Sequence, residues 1–262
     1  MHNPCNREGG QMEHINMGTQ FRTYLVRSMV LVCLLLIFIV SPCLLHAAND
    51  VVLFRDDFNS LENWKPLYFP KIKKHTEYSI ETEGGESFLK TESRASASAI
   101  IFKKEFNVLE YPKVRWRWKI SNVYEKGNEE EKAGDDYPLR VYIVFKYDPG
   151  TASLGTRLTY GLIKSIYGEY PPHSSLNYIW ANLTHHDRII ANTYASEVKM
   201  VILQAGNENA GKWIEQEINI IEDYQRAFGE APPPTGSIAI MNDSDNTKES
   251  AVSYIDYIEV FR

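Results

Sequence analysis

The chain has 262 residues, 44% of them hydrophobic and 24% charged, and a formal net charge of −6. A net-acidic surface is a poor general match for nucleic acid, whose phosphates need clustered cations. No Gly-x-Ser-x-Gly elbow and no phosphate-cradling glycine loop occurs, so serine hydrolase, nucleotide-binding and redox-cofactor readings lack support.

The first segment reads as a leader. Arg22 and Arg27 precede an apolar run over residues 29–40, and Ser41, Pro42 and a small-residue end at Ala47-Ala48 follow. Basic, oily, then small is the order of a secretory signal, expected over residues 1–48. Its removal would leave residues 49–262 in the periplasm or outside the cell. The run is shorter than the roughly 20 residues that span a bilayer, so membrane attachment is expected only if the leader stays uncleaved. Cys5, Cys33 and Cys43 all lie in this segment, so the remainder has neither a disulfide nor a thiolate metal site. The leader's Arg7, Arg22 and Arg27 against Glu8 and Glu13 give it +1, which leaves −7 for the rest.

Beyond the leader, short β-branched and aromatic segments alternate at period two between Gly, Pro, Asn and Asp loops. Strands are predicted over residues 51–54, 78–82, 88–92, 98–106, 113–120, 139–146, 176–182, 198–205, 213–220, 237–241 and 253–261. Helical spacing appears over 156–167, with Leu158, Leu162 and Ile166 and a stop at Gly168, and over 222–228 before Gly229 and a proline triplet. No repeat or linker divides residues 49–262, so one domain is expected. So many strands imply an all-β, two-sheet antiparallel β-sandwich of jelly-roll-like layout, lectin-like or galactose-binding-like, with one or two short helices in loops.

Alternation assigns faces. Over 113–120, Val114, Trp116, Trp118 and Ile120 point inward, and Lys113, Arg115, Arg117 and Lys119 point out. Over 139–146, Leu139, Val141, Ile143 and Phe145 go in, leaving Arg140, Tyr142 and Lys146 outside. If these two strands are neighbours, they make a basic, partly aromatic surface suited to an acidic polysaccharide, with Arg115 and Arg117 as binding residues. The competing reading pairs those arginines with Glu215 and Glu217 across a strand.

Acidic loops are the other candidate. Asp56-Asp57 follows the first strand, Asp135-Asp136 precedes the strand at 139, and Asp243, Asp245 and Asn246 follow the strand at 237. Alternating oxygen ligands suit calcium, expected at Asp243, Asp245 and Asn246 and at Asp56 with Asp256. The plainer reading is that Asp and Asn form turns. Residues 129–132 read as a solvated loop, and adjacent His185 and His186 would chelate one ion poorly.

Several phrases together are specific: Glu130-Glu131-Lys132-Ala133-Gly134-Asp135-Asp136-Tyr137-Pro138, Leu176 to Asn182, Glu222 to Glu230, and Ile238 to Thr247. On these the chain resembles a family of exported bacterial proteins known as domain of unknown function 3047. The resemblance implies one exported bacterial domain with no assigned activity, so no catalytic residue is named. The ends, Phe54 to Phe58 and Tyr254 to Val260, resemble the terminal strands of jelly-roll carbohydrate-binding modules, where first and last strands pair and acidic residues beside them often hold structural calcium.

The phrases direct attention to Asp135, Asp136, Asn177, Trp180, Asn182, Asp223 and Arg226 as ligand-binding residues. Loops at one end of a sandwich cluster in space, so an oxygen-rich rim with Trp180 nearby is expected. The expected function is that of a non-catalytic envelope protein binding a carbohydrate or cell-envelope glycan, with structural calcium. A glycoside hydrolase or polysaccharide lyase on the same scaffold, or a structural envelope protein without a small ligand, stands as the alternative.

Overall fold

The computed structural model describes residues 50–167 and 170–262. The expected leader with its cysteines, and the helix stop at Gly168, lie outside the described residues. The elements run β1 (Val52–Asp56), β2 (Trp64–Leu67), β3 (Glu77–Glu83), β4 (Glu86–Arg94), β5 (Ala97–Phe102), β6 (Phe106–Asn107), β7 (Lys113–Ile120) and β8 (Arg140–Phe145). There follow α1 (Leu154–Tyr167), β9 (Ser174–Ala181), β10 (Ile189–Ala191), β11 (Val198–Ala205), β12 (Ile214–Asn219), α2 (Ile220–Phe228), β13 (Thr235–Asp243) and β14 (Ser250–Phe261).

Period-two alternation becomes a layer most clearly in β7. Val114, Trp116, Trp118 and Ile120 are fully buried, while the four cations between them stay partly exposed. Trp116 and Trp118 meet edge to face at 5.5 Å, and each reaches across the core, to Tyr178 and to Trp180, at 5.7 Å. Burying side chains of this size stabilises by roughly 3 kcal/mol or more each, which fixes the inward face.

The result is two sheets packed face to face. The six-stranded sheet runs β12-β7-β14-β4-β3, and β1 pairs with the far half of β14, so the first and last described strands do join. The eight-stranded sheet runs β10-β11-β9-β8-β13-β5-β2, with β6 on β13. The chain passes repeatedly from one sheet to the other, as at β4–β5, β7–β8, β11–β12 and β13–β14, giving the jelly-roll-like sandwich. One pair departs from the antiparallel pattern: β9 and β11 run parallel.

Two expectations fail here. β7 and β8 are not neighbours; they belong to opposite sheets, so no shared basic surface forms. Arg140, expected outside on β8, is only 5% exposed and is paired with buried Asp243. The short helix α2 is capped by Asn219, whose side chain accepts from the Ile221 and Glu222 N–H groups. Gly229, at φ 79°, closes it in the left-handed conformation that glycine adopts freely. Among the described residues, no helix is long and apolar enough to cross a membrane.

Candidate functional site

The end of the sandwich where β7 and β9 finish gathers most of the expected rim. Asn182, just past β9, donates through Nδ2 to the Asp136 carbonyl at 2.7 Å and accepts the Tyr124 N–H at 2.9 Å. Glu129 Oε1 accepts both the Asn182 N–H at 2.6 Å and its Nδ2 at 3.0 Å. Its other oxygen meets His185 Nε2 at 2.7 Å. Asp136 accepts the Asn246 and Thr247 N–H groups at 3.2 and 2.6 Å. Asp243 accepts the Tyr137 N–H and pairs with buried Arg140. Gly127 is required here, because a Cβ would sit 2.3 Å from the Asn182 amide.

This is a buried network and not an open rim, with Asp135 Oδ1, the Tyr137 hydroxyl and Arg140 Nε left without hydrogen-bond partners among the described residues. Asp135, Asp136, Asn182 and Asp243 are all buried, and Glu129, expected in a solvated loop, is 1% exposed. Burial pushes the Asp243 carboxyl well above the usual range, with Arg140 pulling part of the way back. Burial works most strongly against the Arg140 charge, and Asp243, Tyr142, Asp135 and Tyr137 together outweigh it, so the guanidinium is held protonated. Asp135 is raised by burial, and Asp245 by burial and then by Asp136. Ligand atoms of Asp136, Asp243 and Asp245 lie within 4.8 Å of one another, so these three could hold a cation; Asn246 lies beside them and donates its backbone N–H to the Asp136 carboxylate.

The other expected residues are placed elsewhere. Trp180 offers no aromatic face to a ligand: it is buried against Trp118 and donates to the Gly206 carbonyl at 3.0 Å. Asn177 is buried on β9, where it accepts from Ser175 and lies against Met200. Asp223 and Arg226 sit at the opposite end of the sandwich. There Asp223 accepts from Tyr178 at 3.2 Å and Arg226 at 3.1 Å, beside a charge-balanced cavity of about 390 Å³. Arg115 is paired with Glu259 at 2.6 Å and Glu217 at 3.4 Å, and Arg117 with Asp256 at 2.8 Å. Asp56 spends its oxygens on the Phe58 N–H and on the Trp64 and Asn63 side chains. Neither Asp56 nor Asp256 belongs to a group of three metal-ligating side chains among the described residues.

The open site lies on the outer face of the larger sheet. Outward positions on β5 and β13 carry small side chains, Ala99, Ser237 and Ala239, which leave a cleft of about 680 Å³. Tyr142 and Met241 complete its floor, and Phe69, Tyr147 and Tyr170 stand around it. The Tyr147 ring lies 4.5 Å from Tyr160 and 5.3 Å from Tyr170. Tyr147 is 5% exposed, and its hydroxyl has no hydrogen-bond partner among the described residues. Among the described residues, three lysines, Lys65, Lys146 and Lys164, line the same cleft with one carboxylate, Glu105. Sequence reasoning missed this site. Only Tyr142 and Lys146 carried a signal, as outward positions on a predicted strand.

The family described as protein of unknown function (DUF3047) matches residues 62–259. The chain belongs to this family. No curated protein matches it. Among solved structures, this DUF3047 chain is similar to a family 11 carbohydrate-binding module from Clostridium thermocellum in complex with a β-1,3-1,4-mixed-linked tetrasaccharide. That match has 12% identity and a TM-score of 0.39, covering 78% of this chain and 92% of that one. It is also similar to endoglucanase 3, family GH12, from Trichoderma harzianum, at 5% identity and a TM-score of 0.37, covering 78% of this chain and 100% of that one. A third likeness is the K3 cleaved adhesin domain of Lys-gingipain from Porphyromonas gingivalis, at 8% identity and a TM-score of 0.38, covering 81% of this chain and 100% of that one. Scores this low carry no inference about the present protein.

Proposed function

We propose that this protein is an exported, non-catalytic carbohydrate-binding domain, and that its glycan lies in the outer-face cleft. The observation that carries the reading is the cleft itself: aromatic side chains around a shallow floor, with a buried tyrosine hydroxyl lacking a partner. Apolar walls with a few placed polar groups are what a saccharide needs, since its faces are apolar and its edge is a row of hydroxyls. The orphan Tyr147 hydroxyl, costly to bury alone, finds its partner on a sugar.

The lining favours binding over hydrolysis. A glycosidase uses two carboxyl groups across the scissile bond, and among the described residues the cleft is lined by one carboxylate, Glu105, already held by Lys146 at 2.8 Å. Retardation in gels containing polysaccharides tests the proposal. Tyr147→Phe, which keeps the ring and removes the hydroxyl, is expected to weaken binding about fivefold. Silence across neutral and acidic polysaccharides sinks the reading, and new reducing or unsaturated ends appearing with time contradict its non-catalytic part.

A structural cation is a further reading, favoured by the convergence of Asp136, Asp243 and Asp245. Calcium fits their oxygen chemistry, and Arg140 offsets part of their charge. Calcium is then expected to raise the melting temperature of the wild type and not of Asp245→Asn; equal shifts in both remove this reading.

A further inference from the structure

We infer that the cleft takes an anionic saccharide, held by Lys65 and Lys164 from opposite walls. This rests on the glycan reading of the cleft and names the class of glycan.

Lys65 lies on β2, the edge strand of the larger sheet, and Lys164 on α1 across the cleft. Several of the cations on the two sheets are neutralised by carboxylates. Arg115 and Arg117 on the other sheet have Glu259, Glu217 and Asp256, and Lys146 in the cleft has Glu105. Lys65 and Lys164 have no ion-pair partner among the described residues. Lys164 instead stands 4.3 Å from the centre of the Tyr170 ring, which leaves its charge unneutralised and aligned with an aromatic wall. Among the described residues the cleft therefore carries a surplus of two positive charges, in a chain whose net charge is −6. Such a local reversal of sign raises the concentration of an anionic ligand and orients it. A lysine ammonium is a compact point charge, so it serves a sugar carboxylate or a sugar sulfate equally.

The test measures affinity for polygalacturonate and alginate, for their carboxyl-reduced neutral forms, and for a sulfated dextran beside plain dextran. The protein is expected to bind at least one anionic member about tenfold more tightly than its neutral counterpart, with affinity falling as salt rises. Whether the carboxylated or the sulfated member is preferred identifies the source of the anion. Lys65→Gln combined with Lys164→Gln is expected to abolish the preference. Lys119→Gln, which removes one charge from the opposite sheet, is expected to leave it intact. Equal binding of anionic and neutral partners overturns this inference and leaves the glycan reading standing. Loss of preference in Lys119→Gln also overturns it, since the attraction would then be diffuse. Binding to none of the polysaccharides overturns both.

Discussion

At the end of the sandwich, Asp136, Asn182, Glu129 and Asp243 are buried and their polar atoms are bonded to one another, to backbone or to Arg140. On the outer face of the larger sheet, the Tyr147 hydroxyl and the Lys65 and Lys164 ammonium groups lack such partners among the described residues; within the network itself Asp135 Oδ1, the Tyr137 hydroxyl and Arg140 Nε are the atoms left over. The buried end resembles a reactive site in the sequence and is a structural lock. The outer face is unremarkable in the sequence, yet it has the unfilled hydrogen-bonding and charge capacity of a binding site. Polar residues in loops are needed wherever strands end under cover, because buried backbone groups demand partners. Density of Asp and Asn therefore marks a well-tied loop as readily as a site.

Arg140 offers the largest test of this difference. Arg140→Met strands the Asp243 charge in the interior and is expected to cost about 3–5 kcal/mol in denaturant unfolding, with glycan affinity unchanged in the folded fraction. A cost near zero would mean that the network is not a lock. Glu129→Ala leaves the Asn182 N–H and amide without their acceptor, and a loss of about 2–3 kcal/mol is expected in the same measurement.

A smaller effect should follow pH. Asp135, Asp243 and Asp245 have raised carboxyl values in the folded state. The fold thus takes up protons before the unfolded chain does. In chelator, stability is expected to rise as pH falls toward the ordinary carboxyl value of about 3.9, and to level off below it. Asp245→Asn should flatten that slope; thermal melts that are steeper in the variant would refute the assignment.

Tyr147→Phe probes the outer face in the opposite sense, with stability expected to stay within about 0.5 kcal/mol while affinity falls. The effect of Arg115→Gln should also be small. Arg115 is partly exposed and buried Glu259 keeps Arg55 at 3.4 Å, so a loss of about 1 kcal/mol and no change in glycan binding are expected.

Much of the fold was legible because period-two patterns report faces. β7 matches its expected bounds and both faces, and β12 places Glu217 opposite Arg115 and Glu215 opposite Arg117. Faces do not name neighbours, so the joining of β7 to β8 failed where partner choice depended on long-range topology. Trp180 misled for a related reason. Every residue of β9 is buried, so alternation there cannot separate a core ring from a ligand platform. Asp136 and Asp243 were found from their loops, but their burial was not, since it depends on how Glu129 and Asn182 fold over them. Tyr147, Tyr170 and Lys164 lie after β8 around α1, and Lys65 lies far earlier on β2. Only the strand order β2-β5-β13-β8-β9 brings them to one cleft, and no local pattern encodes that order.

Whether ligand enters the cleft or the carboxylate network is decided by backbone amide chemical-shift mapping. The labelled protein is titrated with oligosaccharides cut from the anionic polysaccharide it binds. Shifts are expected to centre on Tyr142, Tyr147, Ser237 and Ala239, with Asn182, Asp136 and Asp243 unmoved. Shifts centred on Asn182, Asp136 and Asp243, with the cleft silent, would contradict binding in the cleft.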